Sequence, residues 1–205
     1  MRFISRGHLG CFWFGLLAVF TFVSHASANS QAPRLEELQL LTEQTVQEYH
    51  AGRIGVATAI AKKVAVGAKL RYGAKHLRYA QALNNWALFQ GWNGQLTAAE
   101  KNFRFAISIV EKFPGNQSGE LIELMNNLAW VTLQQCQIRE TQSLFAKAFD
   151  LTTKFYGDHH PKTAMVRVNI SNLDSYLDNP GSTGLVTSQK PKANDISWVL
   201  RRCVS

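Results

Sequence analysis

The chain has 205 residues, with 22 Lys and Arg against 14 Asp and Glu, for a net charge of +8. That length accommodates one array of six or seven helices around a continuous core. Three scattered cysteines exclude a disulfide framework. Despite the positive charge, no nucleic-acid recognition motif or base-stacking platform is present, so nucleic acid is not an expected partner.

Residues 1–28 read as an export signal. Arg2 and Arg6 give a positive start, Gly10 to Val23 form a continuous apolar and aromatic stretch, and Ala26-Ser27-Ala28 supplies small residues for cleavage. Cleavage after Ala28 implies a periplasmic or secreted protein. The apolar stretch, about fourteen residues long, is short of the roughly 20 that span a bilayer. An uncleaved anchor is therefore the weaker reading, and no transmembrane segment is expected after cleavage. Cys11 precedes the apolar core, where no lipoprotein cysteine would be processed. The two remaining cysteines, Cys136 and Cys203, are expected to be unpaired thiols, Cys136 packing as a small apolar residue. Pairing in an oxidising compartment is the alternative.

Residues 29–34 are a polar leader. From Leu35 the apolar residues fall at helical spacing through Leu38, Leu41, Thr45, Val46 and Tyr49, and Gly52 closes the helix. A second helix is predicted from Ile54 to Leu70, rich in alanine and ended by Tyr72-Gly73, with glycine suited to a left-handed C-cap. The pair then repeats as Leu77 to Gly91 with Thr97 to Phe113, and as Glu120 to Gln134 with Arg139 to Phe155. A last helix from Pro161 to Leu177 has no successor. Pro161 fits its first turn, and Asp178-Asn179-Pro180-Gly181 stops it. Ser182 to Asn194 reads as a flexible linker. The apolar-basic element Ile196 to Cys203 has two readings, a cap on the last helix or a docking peptide.

These helices carry a period. Leu83-Asn84-Asn85-Trp86-Ala87 returns forty-two residues on as Met125-Asn126-Asn127-Leu128-Ala129, and Asn169 lies one period further. Gly52, Gly94 and Cys136 share one phase; Tyr72-Gly73, Pro114-Gly115 and Tyr156-Gly157 share another; His76 and His160 are two periods apart. The segment Gly94-x-Leu96-x-x-Ala99-x-x-x-Phe103-x-x-Ala106 is answered by Cys136-x-Ile138-x-x-Thr141-x-x-x-Phe145-x-x-Ala148. Alanine at these positions lets paired helices approach closely. A repeat of this length predicts an all-α solenoid, with units at about 38–79, 80–121 and 122–163 and a partial unit at 164–178.

The pattern resembles the tetratricopeptide repeat in its forty-two-residue, kinesin-light-chain-like form. Its marks here are the Leu-Asn-Asn opening, the glycine–alanine ladder and the link Tyr156-Gly157-Asp158-His159-His160-Pro161. The resemblance covers about residues 38–177. Thr42-Glu43 replaces the first asparagine pair, the second link lacks His-Pro, and Cys136 replaces a glycine. The resemblance implies an α-α superhelix of three helix pairs and a final capping helix. The first helix of each pair would line a concave wall that holds a peptide. By position, that wall takes Thr42, Val46, Tyr49 and His50; Asn84, Leu88 and Trp92; Asn126, Trp130 and Gln134; and Val168, Asn172 and Tyr176. Asn85, Asn127 and Asn169 match the family's most regular asparagine, which holds a bound peptide backbone in several members. An amide suits that task because it both donates and accepts.

The competing reading has these asparagines bridging adjacent helices. The aromatics Tyr49, Trp92, Trp130 and Tyr176 are either core or groove anchors; Trp86 already fills the expected core slot. Between Glu48 and Glu100 there is no acid, while Arg53, Lys62, Lys63, Lys69, Arg71, Lys75 and Arg78 fall there. This run is either a solvated face or a patch for an acidic protein, anionic lipid or envelope polymer.

His159-His160 has no further ligands at a spacing that closes a metal site. No nucleophile–base arrangement has supporting context, and no phosphate-binding glycine loop is present. The expectation is therefore a non-enzymatic adaptor, without metal or cofactor, that binds a protein or peptide segment in its groove. The alternatives are a basic module on an anionic envelope surface and an accessory subunit of an envelope enzyme.

Overall fold

A computed structural model describes residues 32–113, 118–178 and 203 of the chain. The expected signal, part of the second link and most of the tail lie outside these residues. Seven helices occupy the described part: α1 (Leu35–His50), α2 (Ile54–Tyr72), α3 (Leu77–Trp92), α4 (Leu96–Lys112), α5 (Ser118–Gln134), α6 (Ile138–Tyr156) and α7 (Pro161–Asp178). Each differs from its predicted span by at most a turn's fraction at either end. Among the described residues there is no strand, and no helix is long and apolar enough to cross a membrane.

Each helix packs on the next along the chain, and α3 also meets α5. This consecutive packing is consistent with a helical solenoid. The seam within each pair is built from small side chains: Ala57, Ala99, Ala106 and Ala148 are completely buried, with Phe103 and Phe145 filling the hollows between them. The threonine standing for alanine in the third pair is accommodated because Thr141 shares a buried hydrogen bond with Thr132 at 3.0 Å and donates to the Gln137 carbonyl.

The turn between paired helices has one geometry used three times. Gly52, Gly94 and Cys136 take positive φ values of 74°, 76° and 60°. In each case the following residue donates back across five residues: Arg53 to Glu48, Gln95 to Gln90, and Gln137 to Thr132. These are the bonds of a Schellman ending, which calls for a residue at left-handed φ. Cysteine at the third position is the exception, and its partner explains its presence. Cys136 is disulfide-bonded to Cys203, sixty-seven residues on, with Cα atoms 5.1 Å apart. The expectation of unpaired thiols, with Cys136 packed as a small apolar residue, is thus corrected: Cys136 is solvent-exposed on a turn and anchors the C-terminus. Cys203 itself packs against the main apolar core.

The links between pairs also recur. Gly73 and Gly157 have φ of 90° with extended ψ values of 161° and 165°, so they are not the left-handed helical cap expected at Gly73. The histidine three residues after each glycine folds back onto the preceding tyrosine: His76 stacks on Tyr72 and His160 on Tyr156, with ring centroids 5.2 and 4.5 Å apart. In both, the imidazole Nδ1 accepts the backbone N–H two residues on, at 3.1 Å, capping α3 and α7. His160 is therefore engaged in the link.

Candidate functional site: the face of the first helices

The sequence-predicted groove residues stand on the first helices α1, α3, α5 and α7, and two cavities are lined in part by these helices. The larger, of about 570 Å³, lies between α3 and α5 and reaches the end of α6 and the start of α7. Asn84, Asn85, Glu120, Glu123, Leu124, Tyr156 and Lys162 are among its lining residues. The smaller, of about 150 Å³, lies among α1, α2 and α3, lined by Thr42, Thr45, Val46, Ala61, Val64, Ala82, Asn85, Leu88, Phe89 and Trp92. Asn85 lines both.

The asparagines divide into two kinds. Asn127 Nδ2 donates to Asn84 Oδ1 at 3.0 Å, and Asn169 Nδ2 donates to Asn126 Oδ1 at 3.2 Å, both across forty-three residues. Asn84 is buried and also donates to Glu123 Oε1 at 2.9 Å. These four amides bridge successive first helices, as the competing reading held. Asn85 is different. One ladder step before it stands Thr42, whose hydroxyl turns back to the Leu38 carbonyl of its own helix at 2.8 Å. The ladder stops there, and Asn85 is exposed without a side-chain hydrogen bond among the described residues.

The aromatics divide as well. Tyr49 and Trp92, 36% and 42% exposed, stack with centroids 4.6 Å apart, and Phe89 meets both edge-on. Of this cluster Phe89 and Trp92 line the smaller cavity, and exposed His50 lies 5.5 Å from Tyr49. Trp130 is half-buried and packs against the core. Its indole lies over Gly91, so close that a Cβ there would fall 2.8 Å from the ring. Leu88 is half-buried in the cavity wall, and Gln134 is half-buried at the end of α5. Val168 and Asn172 are exposed on α7; the side chain of Tyr176 lies outside the described residues.

Charge on this face is mixed. Glu120 and Glu123 border the larger cavity opposite Lys162, whose ammonium is 3.1 Å from the Tyr156 hydroxyl and 4.9 Å above its ring. At the turn after α1, the hydrogen bond from Arg53 holds the Glu48 carboxyl below its usual range, against the opposing effect of burial. That pairing takes Arg53 out of the basic run. Lys62, Lys63, Lys69, Arg71, Lys75 and Arg78 are all exposed. Among them, Arg71 donates to the Pro33 carbonyl and Lys62 sits 6.0 Å from the Trp86 ring. Among the described residues no group of three His, Cys, Asp or Glu is placed to hold a metal ion.

The amide ladder was the feature that spacing alone obscured. The forty-two-residue period aligns Asn85 with Asn127, whereas the bonds run from the first asparagine of one pair to the second of the next. No family model matches the chain, and no curated protein matches it.

Proposed function

We propose that the chain is a non-catalytic, tetratricopeptide-like adaptor of the cell envelope, exported by a cleaved signal. It holds an extended segment of a partner protein along the face of its first helices. The observation carrying this reading is Asn85: an exposed amide with no side-chain hydrogen bond among the described residues, lining two neighbouring cavities. An amide in that position offers a donor and an acceptor to a passing peptide backbone. The cavities on either side offer places for alternate side chains. The apolar one is lined by Trp92, which stacks on Tyr49, the kind of rigid amphipathic anchor that dominates recognition surfaces. Asn127 and Asn169, spent on the ladder, keep the first helices in register instead.

Photo-crosslinking in expressing cells tests this. A photoreactive residue at position 92 is expected to trap a discrete partner, and Asn85→Ala in the same chain is expected to abolish the product while leaving helicity and melting temperature unchanged. Trapping that is indifferent to Asn85→Ala, or equally efficient from position 143 on the outer side of α6, overturns the reading.

A further inference from the structure

The repeat supplies an internal control for its outer surface. Positions 56, 59, 63, 66 and 70 of α2 fall on one stripe at spacings of three and four residues, and all are exposed. One period on, α4 has Ala98, Lys101, Phe105, Ser108 and Lys112 at these places. Two periods on, α6 has Glu140, Ser143, Lys147, Asp150 and Lys154. On α2 they are Val56, Ala59, Lys63, Val66 and Leu70. The stripe is polar on α6, broken by one aromatic on α4, and aliphatic on α2, where Val56, Val66 and Leu70 are 47%, 48% and 52% exposed. Lys62 and Lys69 run along one side of the row and Lys63 lies within it. No acid occurs anywhere in α2, and these three lysines make no ion pair among the described residues.

We propose that the outer face of α2 docks on an anionic phospholipid bilayer, with Val56, Val66 and Leu70 entering the headgroup boundary and the lysines on headgroup phosphates. An aliphatic row bordered by lysines along one edge, with no acid on the helix, has the composition of a helix lying in a membrane interface. The four-carbon lysine stems let the ammonium groups reach phosphate while the aliphatics go deeper. An acidic partner helix is the less favoured occupant. The row has no aromatic anchor and no arginine fork to specify a shaped partner, whereas a bilayer requires no shape match. Each lysine near an anionic leaflet contributes roughly five-fold in affinity. Docking by α2 uses a different surface from the face of the first helices and is independent of what that face holds.

The test is a local one, so that the apolar N-terminal stretch cannot produce the signal. The full chain carrying Cys11→Ser and Val66→Cys is labelled with an environment-sensitive nitrobenzoxadiazole dye and mixed with phosphatidylcholine–phosphatidylglycerol vesicles. The emission is expected to shift to the blue. The shift should vanish on pure phosphatidylcholine, fade with salt, and need at least about tenfold more lipid after Lys62→Glu, Lys63→Glu and Lys69→Glu. The same dye at Asp150→Cys, the equivalent place on α6, is expected to stay unchanged; Val56→Cys is a second reporter on the stripe. Equal responses at positions 66 and 150, or none at either 56 or 66, overturn the proposal. So does a shift at 66 that grows with protein concentration in the absence of lipid, which would mark a second copy as the occupant.

Discussion

Asn127 on α5 donates its side-chain amide to the Asn84 carbonyl on α3 at 3.0 Å, and Asn169 repeats the bond to Asn126 one unit on. Asn84 is buried, so removal of its donor leaves a desolvated oxygen. Asn127→Ala is therefore expected to lower unfolding free energy by about 1–2 kcal/mol. Asn85→Ala, which loses no hydrogen bond, is expected to stay within about 0.5 kcal/mol of wild type. Urea unfolding of the two single variants checks this directly. Equal destabilisation would mean that the ladder contributes nothing distinctive.

Gly91 lies inside α3, where alanine is ordinarily the better helix former by about 1 kcal/mol. Here a Cβ would stand 2.8 Å from the Trp130 ring and 3.5 Å from Val131 Cγ2. A half-buried indole wedged against the core cannot swing aside without losing contacts. Gly91→Ala is expected to destabilise by about 1–3 kcal/mol, visible as a lower melting temperature. Trp130→Leu in the same chain is expected to recover part of the loss, because it removes the overlapping ring.

The helix pairs, their seams and their turns were legible because each is local. Ala99 and Ala106 announce close approach by their spacing, and Gly52 announces a helix end that Gly94 repeats by phase; the left-handed turn itself was expected at Gly73 and is found at Gly52 and Gly94 instead. What distance in sequence concealed was pairing between units. The bond from Asn127 to Asn84 depends on the stagger of two helices across a whole repeat, and a forty-two-residue alignment sets Asn127 against Asn85 instead. Trp130 was similarly ambiguous, since its role depends on the bare backbone of Gly91 on another helix. Cys136 stood out as a departure from glycine, but its partner lies sixty-seven residues away, beyond any local pattern.

Glu100 on α4 is tied to the turn after α5 and, through Arg104, to α6. Its carboxylate accepts from Arg104 at 2.8 Å and from Gln135 at 2.8 Å, and Arg104 reaches on to Glu140 at 2.8 Å. Burial alone would raise the Glu100 carboxyl, but the hydrogen bonds from Gln135 and Arg104, with the charge of Arg104, hold it below the usual range. A depressed folded value stabilises the fold above the unfolded carboxylate range. That contribution is lost as pH falls through the lower, folded value. Glu100→Gln is expected to flatten the acid limb of a stability–pH profile and to leave the slope of the neutral limb unchanged. An unaltered acid limb would mean that other carboxylates govern acid unfolding.

The disulfide between Cys136 and Cys203 closes a loop of sixty-seven residues that contains α6 and α7. In the chain-entropy account a loop of this size is worth about 4 kcal/mol of constraint on the unfolded chain. Reduction is therefore expected to lower the melting temperature, and to loosen α7 first, because it ends the array. The replacement chosen for Cys136 then matters, since its φ is 60° while Gly52 and Gly94 hold the same turn at 74° and 76°. With Cys203→Ser in both chains, Cys136→Gly is expected to be more stable than Cys136→Ala by about 1 kcal/mol, glycine adopting positive φ without the Cβ penalty. Thermal unfolding under non-reducing conditions separates the two effects. The wild-type chain should exceed both variants, and the glycine variant should exceed the alanine one. An alanine variant as stable as the glycine variant would show that the third turn has a different shape from the first two.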